Sequence, residues 1–133
     1  MSVPTSCHPS LRGDKRIELH EKTDIREFTP ASTPDIVVID VSFISLRQIL
    51  PHIAKIAGKT TQIYAMVKPQ FEATRQQITT SGVIKNDNVR RTILKDFELW
   101  TKVYFVIRGK ADSEIKGAHG NLERFYQLTA TTR

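Results

Sequence analysis

Two apolar runs, Ile36–Val41 and Ile63–Val67, each deliver a charged residue, and they constrain the fold more than any other part of the chain. The first is β-branched at nearly every position and carries Asp40 before turning through Ser42 and Phe43. Such a run suits a parallel strand covered on both faces. The second run ends in Lys68, followed by Pro69, Gln70, Phe71 and Glu72. Neighbouring strands that end in an acid and an amine bring both to the carboxyl edge of a sheet, where open α/β folds keep their ligands. The pair suggests a catalytic site. Spacing alone equally allows Asp40 to cap the next turn and Lys68 to be a surface residue.

Helical signals fill the gaps. Ser45 with Gln48 three residues on has the pattern of a capping box. Leu46, Ile49, Leu50, Ile53, Ala54 and Ala57 then recur at helical spacing, with Pro51 predicting a kink or a late start and Gly58 a C-terminal stop. Asn86 is expected to cap a second helix with Val89, Ile93, Leu94, Phe97 and Trp100 on its apolar face. Further strands are expected at Ile17–Glu21 (a short edge strand), Val103–Ile107 and Arg124–Thr131, with loops over 69–85 and 108–120. Residues 1–13 read as a loose leader and 22–34 as a polar connection. This alternation implies an α/β, doubly wound, mostly parallel sheet with helices on both faces and right-handed crossovers.

With 133 residues, 39% of them hydrophobic and 26% charged, the chain fits one soluble globular domain. No apolar run reaches the roughly 18 residues of a membrane helix, and the N-terminus has no signal-peptide core. The single Cys7 favours a reducing, cytoplasmic setting. A net charge of +6 attracts polyanions, but the basic residues are scattered, so charge alone leaves RNA binding open. His8, His20, His52 and His119 have no partners at metal-ligand spacing, so no metal site is expected. Gly117 and Gly120 precede the last strand and suit a hairpin-like loop better than a ligand cradle. Phe97 and Trp100 read as core; Phe43 and Phe71 are open candidates for base stacking.

Several motifs in fixed order go further: Asp40-Val41-Ser42-Phe43-Ile44-Ser45-Leu46, Ile49-Leu50-Pro51, Val67-Lys68-Pro69-Gln70-Phe71-Glu72, Gly82-Val83-Ile84 and Gly117-Ala118-His119-Gly120-Asn121-Leu122-Glu123. Upstream, Glu21-Lys22-Thr23-Asp24-Ile25-Arg26 has Asp where the related motif has Asn. Over about residues 11–129 the chain resembles the TlyA-type hemolysin group of FtsJ-like ribosomal RNA methyltransferases. The resemblance implies a Rossmann-like fold that uses S-adenosylmethionine to methylate a ribose 2′-hydroxyl in rRNA. By matching motifs, Asp40, Lys68 and Glu123 are three members of a Lys-Asp-Lys-Glu catalytic set, with Lys68 helping to deprotonate the hydroxyl. Asp24, Ile25 and Arg26 would lie at the adenine end of the cofactor pocket, continued by Asp40, Val41, Ser42 and Phe43.

The same resemblance defines what these 133 residues do not contain: an S4 RNA-binding domain, the first catalytic lysine and a glycine-rich strand-turn-helix. Residues 14–133 are then expected to form the C-terminal portion of a methyltransferase domain whose first two strands are missing, inactive alone. An unpaired apolar edge invites association, so a homodimer through that edge is expected, alongside ribosomal RNA or a ribosomal subunit as partner and no membrane. The alternative is a non-catalytic RNA-binding or scaffolding remnant with the same basic surface.

Overall fold

Backbone pairing starts at the two apolar runs. In a computed structural model, which describes residues 7–78, 82–84, 86–117 and 120–131, β1 (Ile36–Ile39) and β2 (Gln62–Val67) run parallel, with Ile36 opposite Gln62 and Ile39 opposite Ala65. Between them Ser45 caps one 3₁₀ turn, Leu46–Gln48, its hydroxyl accepting from the Arg47 N–H. The helix α1 (Leu50–Ile56) begins only afterwards, with Pro51 in its first turn, where a missing N–H leaves no bond unmade. Gln48 does not reach back to Ser45 as a capping box would. It accepts from Arg26 at 3.4 Å. Gly58 does not adopt the left-handed backbone of a helix stop; a Cβ there would sit 2.8 Å from Cγ2 of Thr33, so close approach explains the glycine.

The segment expected to be a loop over 69–85 opens with a short helix, α2 (Pro69–Glu72). Asn86 caps α3 (Asp87–Thr101) through the N–H groups of Asn88 and Val89, and the apolar stripe buries Ile93, Leu94 and Phe97. Two strands follow, β3 (Phe105–Asp112) and β4 (Arg124–Ala130). β3 begins later and runs longer than its apolar core suggested. Beyond a register shift between Ile107 and Gly109, polar residues through Asp112 still pair with β4.

The sheet order is β1-β2-β4-β3, with β4 antiparallel to both neighbours. Three strands therefore share one direction and the last inserts between β2 and β3. The α/β class holds, but the covering of the sheet differs from expectation. α1 contributes Leu50 and Ile53, and α3 contributes Leu94 and Phe97, to one core with Ile63, Ala65, Val67, Tyr126 and Leu128. These strand residues alternate with the exposed Tyr64 and Phe125, so among the described residues both helices cover one face and the other lies open. Two right-handed crossovers that progress the same way across a sheet put their helices on the same side. Ile36 and Val38 are accordingly 62% and 75% exposed, not covered on both faces.

Phe97 anchors the packed side, fully buried with its ring 5.6 Å from that of Tyr126. Truncating it to alanine costs about 3–5 kcal/mol. The edge strand expected at Ile17–Glu21 does not form. Asp14 turns the chain by accepting from the backbone and guanidinium of Arg16, and Ile17 and Leu19 stay exposed. Alternation without a partner strand leaves the backbone irregular.

Candidate active site

The register of β1 and β2 sets the site. Asp40 leaves β1 directly after Ile39, and Lys68 leaves β2 two positions further along the edge than the residue opposite Asp40. The long lysine stem closes that gap. Its Nζ lies 2.7 Å from Asp40 Oδ1 and donates to Ser42 Oγ at 2.9 Å. The lysine is mostly buried and the carboxylate mostly exposed, so the ion pair faces outward from the edge.

Past Ser42 the chain turns sharply. Phe43 has φ of 64°, the left-handed region that a side chain rarely adopts, and the residue is 90% exposed. Its ring lies 5.1 Å from Phe71, at the end of the facing segment. Val41, in contrast, packs partly against the core.

Glu72, in the short helix after Lys68, fixes this turn. The Glu72 carboxylate, buried under the start of the 3₁₀ turn, accepts from the Ser45 hydroxyl and from the Leu46 N–H at 2.7 Å, with Arg47 3.6 Å away. Burial pushes its carboxyl above the usual range, against the pull of those donors. Glu72 thereby ties α2, which directly follows Lys68, to the loop that directly follows Asp40. The signal was present as an acid closing a short apolar segment, but nothing local says what it caps.

Glu123 comes from the other side, one residue before β4, and is buried. The loop before it is closed as a hairpin: Ser113 N–H donates to Glu123 O at 2.8 Å and Gly117 N–H to Asn121 O at 2.8 Å. Gly117 makes its close approach to Glu123 itself, not to a ligand. Asn121 braces the neighbouring segment, accepting from Ile84 N–H at 2.9 Å and donating to Gly82 O at 3.2 Å. Ala118 and His119, part of the glycine-flanked motif, lie outside the described residues.

Lys68 and Glu123 both line a cavity of about 460 Å³, together with Ser42, Phe43, Gln70 and Phe71. They also line a second, of about 550 Å³, that includes Asp40 and opens toward Met66 and Phe125. The acid–amine–acid set expected from the motifs thus meets at one sheet edge between two hollows. Asp24, Ile25 and Arg26 line neither hollow. Asp24 caps a 3₁₀ turn, Ile25–Glu27, and binds the Arg26 guanidinium at 2.6 Å, which with the Arg26 N–H holds its carboxyl down at about 2. Ile25 packs partly against the core. Among the described residues no three His, Cys, Asp or Glu side chains group as metal ligands, and no helix is long and apolar enough to cross a membrane.

Residues 2–129 match the FtsJ-like methyltransferase family. A 23S rRNA (cytidine-2′-O)-methyltransferase TlyA of Campylobacter jejuni is 38% identical over 121 residues, which cover 90% of this chain and 47% of that one. The 16S/23S rRNA (cytidine-2′-O)-methyltransferase TlyA of Mycobacterium tuberculosis is 35% identical over 127 residues, or 92% of this chain and 47% of that one. Among solved structures, a Streptococcus thermophilus protein provisionally called a hemolysin superposes with a TM-score of 0.85 at 37% identity, covering 92% of this chain and 46% of its own. The chain spans about half the length of the curated relatives it matches.

Proposed function

The chain belongs to the FtsJ-like methyltransferase family, and from that premise we propose that it carries the catalytic edge of an S-adenosylmethionine-dependent rRNA ribose 2′-O-methyltransferase. Residues 14–133 form the C-terminal portion of that domain, the target is a cytidine in ribosomal RNA, and the setting is cytoplasmic. One observation carries the reading: Lys68 bridges Asp40 at 2.7 Å and Ser42 at 2.9 Å, on an edge whose cavity it shares with Glu123.

The residues present fit the cofactor along that edge. Asp40 offers an exposed carboxylate, and Phe43 an exposed ring on a backbone turned outward. Asp40, Val41, Ser42 and Phe43 would hold its methionine side, with Asp24, Ile25 and Arg26 at the adenine end. Bound there, the cofactor supplies an electrophilic methyl carbon on a sulfonium. Lys68, once it has shed its own proton, takes the proton of the 2′-hydroxyl, and Asp40 and Glu123 stabilise the ammonium that results. Ser42 fixes the direction of Nζ. Methyl transfer needs mainly alignment, and a sheet edge pinned by Glu72 provides a rigid frame for it.

The open β1 edge is expected to associate with a second copy. Calorimetric titration of S-adenosylmethionine tests the reading: heat that Asp40→Ala or Lys68→Ala diminishes is expected. Absent cofactor binding, together with salt-sensitive affinity for rRNA fragments, would overturn it in favour of a non-catalytic RNA-binding scaffold.

A further inference from the structure

Gln70 is anomalous among the described residues. It is 6% exposed, and both its carboxamide nitrogen and its carboxamide oxygen are buried without a hydrogen-bond partner. Buried polar groups are otherwise almost always paired, because an orphaned donor or acceptor destabilises the fold. No other described side chain in this protein is orphaned in this way. The location makes the exception informative, since Gln70 lines the 460 Å³ cavity with Lys68, Glu123, Phe43 and Phe71.

We propose that Gln70 binds the base of the nucleotide whose ribose is presented to Lys68. This rests on the reading above that the substrate is a cytidine in RNA. A carboxamide has one acceptor and one pair of donors side by side. Cytosine offers the complement, an exocyclic amine beside a ring nitrogen that accepts. Unstacked bases in RNA are held by aromatic faces and by hydrogen bonds to their edges, and this cavity sets Phe71 beside Gln70.

Position favours the assignment as well. Gln70 sits in α2, two residues after Lys68, and the same helix is anchored by Glu72 to the Leu46 N–H at 2.7 Å. The distance from amine to carboxamide is thereby fixed, as ribose and base demand. Both polar atoms are closed off from water, but Phe43, Ile78 and Gly82 in the cavity wall belong to irregular segments. Base binding at the carboxamide therefore requires the cavity wall to shift at one of these three residues.

The test uses the 133-residue chain, its Gln70→Met variant, and two three-nucleotide RNAs, one with a central cytidine and one abasic at that position. Binding is followed by amide NMR shifts at Lys68, Phe71 and Gly82, and stability by thermal unfolding. Methionine keeps the length and removes the polar atoms, so the variant is expected to melt at the same or a higher temperature. Its affinity for the cytidine RNA is expected to fall about tenfold, with the abasic RNA unaffected. A lower melting temperature, or an equal loss on both RNAs, would mean that Gln70 is structural and would overturn the proposal. Wild-type affinity in the variant sinks the assignment of Gln70 while leaving the methyltransferase reading intact. If the wild-type chain shows no shifts around Lys68 with either RNA, that broader reading fails and this one with it.

Discussion

The Glu123 carboxylate occupies the space that any side chain at position 117 would fill. A Cβ built on Gly117 lands on the Glu123 carboxyl group, with Glu123 Cγ 3.2 Å away. Gly117→Ala must therefore turn Glu123 out of its buried place or open the hairpin closed by Gly117 N–H and Asn121 O at 2.8 Å. The expected outcome is loss of the Lys68–Glu123 cavity together with destabilisation of about 1–3 kcal/mol. Denaturant unfolding measures the second, and chemical shifts at Lys68 report the first. A variant with wild-type stability and shifts would refute the steric argument.

Glu72→Ala is expected to cost about 1–3 kcal/mol, because it leaves the Leu46 N–H and the Ser45 hydroxyl without their acceptor. The damage should spread to the site. Ser45 begins the turn that follows Phe43, so amide exchange at 42–46 should accelerate more than exchange in β2. Uniform acceleration would indicate a global loss of stability and no specific anchor.

The strands that carry Asp40 and Lys68 were legible because their side chains are apolar over several residues and end in charge. α3 was legible because its stripe and its Asn86 cap agree. Ile17–Glu21 misled, since alternation marks a strand only when a neighbour exists to pair with it, and Asp14 instead bends the chain through Arg16. The extent of β3 was hidden for the opposite reason. Gly109, Lys110 and Asp112 have little strand propensity, but β4 and the ion pairs of Asp112 hold them in the sheet. At the candidate site, motif order singled out Asp40, Lys68 and Glu123, which the fold brings to one sheet edge. The tie from Glu72 to Leu46 and the orphaned amide of Gln70 are long-range facts that no local pattern encodes.

Stability should depend on pH through two carboxyl groups on the α3–β3–β4 face. Hydrogen bonds from Arg124 and Arg90 hold Asp112 below its ordinary 3.8. Burial pushes Glu98 up, but hydrogen bonds from Lys110 and Tyr126 outweigh it and leave Glu98 below its ordinary 4.5. A group depressed on folding contributes stability above its ordinary value and loses it as pH falls through the lower folded value. Melting temperature should therefore drop as pH falls below about 4, and less steeply in Asp112→Asn. The effect is modest, because Asp112 is partly exposed and screened. An unchanged acid slope in the variant would dismiss the Asp112 pairs with Arg90 and Arg124 as contributors.

Glu72 carries the opposite sign. Its folded carboxyl titrates above the ordinary 4.5, so its contribution is fully present below that value and is lost as pH rises through the folded one. Glu72→Gln keeps an acceptor for the Leu46 N–H and removes the buried charge. The difference in stability between variant and wild type should shift in favour of the variant as pH rises from about 4.5 toward neutrality. A difference that stays constant over that range would show that the buried charge is not what Glu72 contributes.

The open side of β1 gives the last prediction. Among the described residues β1 bonds only to β2, and its outward residues Ile36 and Val38 are 62% and 75% exposed. A short strand with an apolar face and unpaired N–H and C=O groups is a template for another chain, and lysine on such an edge is a common block. Val38→Lys should leave the fold intact, because Val38 packs against little. Sedimentation velocity over rising concentration is expected to show self-association of the wild-type chain and a monomeric variant of the same melting temperature. If the wild type stays monomeric at the highest concentration, the edge does not bind a second copy. If both chains associate equally, the contact lies elsewhere, and the exposed Tyr64 and Phe125 on the uncovered sheet face become the next positions to charge.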